Sequence, residues 1–100
     1  MYIAMNRFKI AEGHEKDFEK IWVDRQSFLN EVPGFKDFHL LKGSSEGSFT
    51  LYSSHSVWET KEEFLAWTES DAFQKAHARA RAPEGMYLGP PQFEGFEVVL

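Results

Sequence analysis

The spacing of apolar residues in this chain switches between the period of a strand and the period of a helix. Residues from Tyr2 to Ile10 alternate, so that Asn6 shares one face with aromatic and apolar neighbours, as in a half-buried strand. From about Glu15 the apolar residues follow helical spacing instead, until Val32-Pro33-Gly34 stops the helix. The chain therefore begins with a predicted strand and a predicted amphipathic helix.

Two strand-like runs, Phe35 to Lys42 and Phe49 to His55, occupy the middle of the chain. The loop between them, Gly43-Ser44-Ser45-Glu46-Gly47, has the composition expected of a hairpin. The two runs are therefore predicted to form an antiparallel pair.

Two helix starts and a final strand are predicted in the remaining residues. Thr60-Lys61-Glu62-Glu63 is a capping-box sequence, in which the Thr hydroxyl and the last carboxylate reciprocally accept from backbone N–H groups. Ser70-Asp71 is a second candidate N-cap, for a helical stretch that ends before Pro83. An irregular loop over 82–91 and a strand over 93–100 complete the pattern.

The order β-α-β-β-α-β predicts an α+β fold of the ferredoxin-like, split βαβ type: a four-stranded antiparallel sheet with helices on one face. A chain of 100 residues without a linker-like segment is predicted to be one domain over 1–100. Apolar side chains are also expected on the uncovered face of the sheet, which predicts a homodimer. Those expected there are Ile3, Met5, Phe38 and Leu40.

Composition and charge exclude several classes of protein. A formal net charge of −5 argues against a nucleic-acid-binding protein, which needs a basic face to displace counterions from phosphates. With no cysteine, disulfides, thiolate metal sites and covalent haem attachment are excluded. The N-terminus lacks the pattern of a secretion signal, and no apolar run approaches the roughly 20 residues of a membrane span. We therefore expect no membrane partner and a cytoplasmic protein.

His77 is the first candidate functional residue, because a neutral imidazole is the best iron ligand that a chain without cysteine offers. Small apolar neighbours on its helix, Ala76 and Ala80 among them, would admit a flat macrocycle. An ordinary, hydrogen-bonded helix histidine is the alternative interpretation. The other histidines have no partner at metal-ligand spacing and are interpreted as surface or sheet residues; they are His14, His39 and His55.

Asn6 and Trp67 are the other two candidates. Asparagine is depleted in strands, and a carboxamide on an apolar face needs hydrogen-bond partners, so the Asn6 amide is a candidate donor to a ligand in a cavity. Trp67 is a large ring on the short helix that precedes His77. The alternatives are a hydrogen bond to a neighbouring strand for Asn6 and core packing for Trp67, as we expect for Trp22 and Trp58.

The residues around these candidates resemble a known family. Asn6, the segment Phe64-Leu65-Ala66-Trp67-Thr68-Glu69-Ser70-Asp71-Ala72-Phe73, and the following Lys75-Ala76-His77 resemble the IsdG-type haem-degrading monooxygenases. These belong to the wider antibiotic-biosynthesis-monooxygenase superfamily of dimeric α+β barrels. The resemblance extends over essentially the whole chain.

The resemblance implies a role for each candidate. His77 would be the axial ligand of the haem iron, Asn6 would donate a hydrogen bond on the haem-pocket side, and Trp67 would press on the porphyrin so that it ruffles. Haem would be both substrate and cofactor: with O2 and an external electron donor, supplied by an unidentified reductase, the ring opens at a meso carbon and iron is released. Three arginines are candidates to pair with the haem propionates, although solvated helix charges explain them equally well; they are Arg25, Arg79 and Arg81.

Three alternatives stay open at this point. A cofactor-independent relative in the same superfamily would oxidise a quinol or a polyketide-like aromatic without using His77. A haem carrier or sensor would bind haem through His77 and leave the macrocycle intact. A structural dimerisation module would account for the many aromatic residues but would make the combination of Asn6, Trp67 and His77 accidental.

Overall fold

In the computed structural model, residues 1–71, 73 and 85–100 are described, with only the backbone for 25–28. Four strands, two α-helices and one 3₁₀ helix follow one another in this part of the chain. They are β1 (Tyr2–Ala11), α1 (Glu15–Arg25), the 3₁₀ helix (Gln26–Glu31), β2 (Phe35–Ser45), β3 (Phe49–Trp58), α2 (Lys61–Thr68) and β4 (Gln92–Glu97). None of the helices in these ranges is long and apolar enough to cross a membrane.

The four strands form one antiparallel sheet in the order β2-β3-β1-β4. The first strand lies inside the sheet and pairs with β3 on one side and with β4 on the other. This is the topology of the ferredoxin-like α+β fold, so the predicted fold class is confirmed.

The core lies between the sheet and the helices, as the alternation in β1 predicts. Every second residue of β1 from Tyr2 to Ile10 is buried except Asn6, which is half-buried. One core cluster gathers Tyr2, Ala4, Leu29, Trp58 and Phe64. The other gathers Phe8, Ile10, Phe18, Tyr52 and Met86.

Several predicted boundaries differ from the structure, and one of them is the end of β2, which continues beyond Lys42 to Ser45. The first α-helix ends at Arg25 rather than at Val32, and the 3₁₀ helix that follows carries Leu29 into the core. Strand β3 continues beyond His55 to Trp58. The last strand stops at Glu97 rather than at Leu100, because Glu97 pairs with Tyr2, where β1 begins. Beyond it a single hydrogen bond, from Val98 N–H to Met1 C=O, follows.

The predicted side for Phe38 and Leu40 was wrong. These residues pair with Ser56 and Ser54, which in turn lie opposite Ala4 and Asn6 on the face that the helices cover. The cause is a register shift between Phe35 and Asp37, because one extra residue moves the following side chains to the other face. Ile3 and Met5 lie on the open face as predicted, and further apolar residues there are Leu41, Leu51, Val57 and Phe96.

Candidate functional site

A cavity of about 330 Å³ lies between the covered face of the sheet and the helices. Its floor is formed by residues of β1 and β3, and its sides by α1, α2 and β4. Six aromatic side chains line it: Trp22, Phe38, Phe64, Trp67, Phe73 and Phe93. No charged side chain among the described residues lines the cavity, so these walls suit a flat, largely apolar molecule.

Asn6 lies at the floor of this cavity because it is on the covered face of β1. Its carboxamide has no hydrogen-bond partner among the described residues, although the side chain is half-buried. A polar group that is withdrawn from water without a hydrogen-bond partner lowers the free energy of unfolding by roughly 1–3 kcal/mol. The Asn6 amide is therefore available to a polar atom of a bound molecule.

Trp67 forms a wall of the cavity from the last turn of α2. Its ring centroid is 5.4 Å from that of Trp58 and 4.7 Å from that of Phe73, the latter at an interplanar angle of 89°. One turn earlier, Phe64 is buried and anchors the helix to the core. The ring is thus held on two sides while one surface faces the cavity.

Trp22 and Phe38 form a wall that the sequence did not predict. Their rings are stacked, with centroids 5.5 Å apart and an interplanar angle of 17°, and both line the cavity. Trp22 was expected to be an ordinary core residue, and Phe38 was expected on the open face. The register shift in β2 brings Trp22 and Phe38 together, and no pattern in the sequence indicates that shift.

A cluster of polar residues with perturbed acidity lies beyond this wall. The Tyr52 hydroxyl donates to the Glu19 carboxylate, and the Thr50 hydroxyl donates to Glu15 Oε2 at 3.2 Å. Burial, and then the Glu19 carboxylate, raise the pKa of the Tyr52 phenol. None of these four residues lines the aromatic cavity, so the cluster belongs to the support of the fold.

Of the predicted site residues, the structure brings Asn6 and Trp67 to the same cavity. Three others, His77, Arg79 and Arg81, lie outside the described residues, and Arg25 ends α1 with its side chain outside them.

The remaining histidines lie apart from the cavity. His39 and His55 are directly opposite each other on the open face, and His14 precedes α1. Within the described ranges, no three His, Asp or Glu residues are grouped to hold a metal ion. These ranges therefore contain no centre for a directly bound metal ion.

Relatives of this chain are named for haem chemistry. The heme-degrading monooxygenase of Shouchella clausii is 34% identical over 99% of this chain and 92% of its own length. The heme-degrader MhuD of Mycobacterium tuberculosis, solved with two hemes in its active site, is 31% identical with a TM-score of 0.77; the match covers 100% of this chain and 97% of MhuD. A MhuD mutant with two manganese protoporphyrin IX molecules per active site has a TM-score of 0.80 at 29% identity, over 100% of this chain and 96% of its own.

The fold by itself is shared more widely. SnoaB, a cofactor-independent oxygenase from Streptomyces nogalater, has a TM-score of 0.70 at 16% identity, over 97% of this chain and 92% of its own, which is a likeness of fold alone. The family model of the antibiotic biosynthesis monooxygenases matches residues 1–79. Together with the full-length match to the relative in Shouchella clausii, this match shows that the chain belongs to the antibiotic biosynthesis monooxygenase family.

Proposed function

We propose that this protein is a haem-degrading monooxygenase, which binds free haem in the aromatic cavity and opens the porphyrin at a meso carbon with O2 and external electrons. The observation that carries the proposal is that Asn6 and Trp67, distant in sequence, line one aromatic cavity, to which the described residues contribute no charged side chain. The identity to relatives named heme-degrading monooxygenases supports the same assignment.

The described residues fit a porphyrin. A macrocycle is flat and apolar, and the Trp22–Phe38 stack and the Trp67 ring supply large flat apolar surfaces to bury it. The carboxamide of Asn6, which has no partner among the described residues, supplies the polar contact that an apolar molecule with a central metal requires. When bound, haem supplies the iron that activates dioxygen and is also the molecule that is oxidised.

Each side chain has a distinct part in this proposal. His77 would hold the iron of bound haem. Asn6 would donate a hydrogen bond to a small ligand of that iron. Trp67, braced by Trp58 and Phe73, would press on the macrocycle and orient it for oxidation at a meso carbon, which is catalysis by orientation. Arg25, Arg79 and Arg81 are proposed to pair with the propionates at the rim.

The proposal also includes an electron donor, a cellular location and an oligomeric state. Electrons come from an external donor, supplied by a separate reductase. The protein acts in the cytoplasm as a homodimer, whose interface is the open face of the sheet. Leu41 and Phe96 on that face are 43% and 48% exposed, which supports burial against a second copy.

A titration of the purified protein with ferric haem, followed at the Soret band, tests the binding part. We expect saturable binding in the wild type and an affinity lower by at least about tenfold in His77→Ala, because the iron loses its axial ligand. The matched control is His14→Ala, since His14 precedes α1 and does not line the cavity. Equal affinities of His77→Ala and His14→Ala would overturn the assignment of the ligand.

A further inference from the structure

Ser54 lies directly beside Asn6 at the floor of the cavity. The two residues are paired across β1 and β3, both line the cavity, and Ser54 is only 7% exposed. Directly opposite residues of an antiparallel pair have Cβ atoms about 4.5–5.5 Å apart. One small molecule above this pair can therefore accept hydrogen bonds from both side chains.

Ser54 differs in its hydrogen bonding from the other residues of the cavity that carry a hydroxyl group. The Ser56 hydroxyl donates to the Ala4 carbonyl at 3.3 Å and accepts from Trp58 Nε1 at 2.9 Å, and the Thr68 hydroxyl donates to the Leu65 carbonyl at 2.7 Å. Neither the Ser54 hydroxyl nor the Asn6 carboxamide has a partner among the described residues.

This difference matters because buried polar groups are nearly always hydrogen-bonded. Asn6 and Ser54 are adjacent polar groups that have no partner among the described residues, whereas the rest of the cavity floor consists of apolar or hydrogen-bonded side chains. This pair is therefore the place on the floor where polar atoms of a ligand can bind. Valine or threonine fits a strand as well as serine does, so the backbone conformation does not demand serine at this position.

We propose that Ser54 is a second ligand-binding residue, which acts with Asn6 on a small ligand at the open coordination position of bound haem iron. The inference rests on the proposed haem-binding function. It adds a hydroxyl donor to the site, so that a ligand of the iron is held by two side chains from neighbouring strands. Two donors on neighbouring strands would restrict the orientation of the ligand as well as its position.

Azide is a suitable probe, because it is an anion that binds ferric haem and shifts the Soret band. The decisive pair is Ser54→Thr and Ser54→Val, since these side chains have the same shape and differ only by the hydroxyl group. We expect azide affinity near that of the wild type in Ser54→Thr and about tenfold lower in Ser54→Val, the size expected for a hydrogen bond to a charged group. Haem affinity itself should be the same in both variants.

Ser53→Ala is the matched control. Ser53 is the preceding residue of the same strand and faces the opposite side of the sheet, and its hydroxyl donates to the Ser54 carbonyl at 3.4 Å. Its azide affinity should equal that of the wild type.

The possible outcomes separate the two proposals. If the wild type does not bind haem, the proposed function fails before azide is added. If all variants bind haem but Ser54→Thr and Ser54→Val have the same azide affinity, the role of Ser54 is wrong while the proposed function stands.

Discussion

Asn6 is a residue whose polar side chain lowers the stability of the fold and, in the proposed function, contacts a ligand. It occupies an inward position of β1 where its neighbours Ala4 and Phe8 are buried apolar residues, and its carboxamide has no partner among the described residues. A valine would fit the strand better and would remove the unpaired polar group. The fold does not explain the residue type, whereas the proposed function, in which the carboxamide contacts a ligand, does.

The corresponding prediction is that Asn6→Val stabilises the protein and weakens its function. We expect the free energy of unfolding to rise by about 0.5–1.5 kcal/mol, and the rate of haem degradation to fall. Ser56→Ala is the contrast, because its hydroxyl bonds to Trp58 and Ala4, and it should destabilise by about 1 kcal/mol. Urea unfolding measures both changes; a destabilised Asn6→Val protein would contradict this account.

Tyr52 determines how stability responds to alkaline pH. Burial and the adjacent Glu19 carboxylate hold the pKa of its phenol above the ordinary value of 10.0. In the unfolded chain the phenol ionises first, so the contribution of Tyr52 is fully present below about pH 10 and is lost as pH rises further.

We expect the free energy of unfolding of Tyr52→Phe to depend on pH differently from that of the wild type. Tyr52→Phe should be less stable at neutral pH, because the hydrogen bond to Glu19 is lost while the ring can still pack on Phe18. Between about pH 9.5 and 11 its stability should fall less steeply than that of the wild type. Urea unfolding across this range is the measurement, and parallel slopes would show that Tyr52 does not titrate as described.

At the scale of elements, the start of α2 controls where Trp67 lies. The capping box predicted from the sequence is confirmed in one half: Thr60 Oγ1 accepts from Glu63 N–H at 3.1 Å. In the other half, Glu63 Oε1 accepts from the Thr60 hydroxyl at 3.3 Å rather than from the backbone. Because α2 has only eight residues, this cap is a large part of its stability.

We predict that Thr60→Ala lowers the free energy of unfolding by about 1 kcal/mol. For a domain of this size the melting temperature should fall by roughly 4–8 °C. Thr60→Ser, which keeps the capping oxygen, is the control and should change the melting temperature little. A Thr60→Ala protein with the melting temperature of the wild type would mean that tertiary contacts alone hold the helix.

The elements also show which features could be predicted from the sequence. The alternation in β1 and the helical spacing around Phe18 determine their own elements, because one face of each must be buried. The pairing of Trp22 with Phe38 could not be predicted, because it depends on the register shift after Phe35. Asn6 was identified because asparagine is unusual in a strand, whereas serine in a strand gives little signal, so Ser54 was missed.

At the scale of the whole molecule, the open face of the sheet predicts how copies associate. Ile3 and Phe96 are directly paired on this face, and Phe96 is 48% exposed. Phe96→Glu should convert a dimer to a monomer, because it places a charge in an apolar interface. Val23→Glu, on α1 at a position 67% exposed, is the control. Light scattering after size exclusion measures the mass; a dimeric Phe96→Glu protein would contradict the interface.

The proposed function requires that the protein destroy the haem that it binds. Haem-loaded protein in air, supplied with ascorbate and with catalase to remove peroxide, is followed at the Soret band while a chelator reports released iron. In the wild type we expect the Soret band to disappear and about one iron to be released per haem. In His77→Ala we expect a much slower loss of the Soret band, because the variant lacks the axial ligand that holds the haem in place. A stable Soret band would contradict degradation and indicate a haem carrier, and failure to bind haem would favour a cofactor-independent oxygenase.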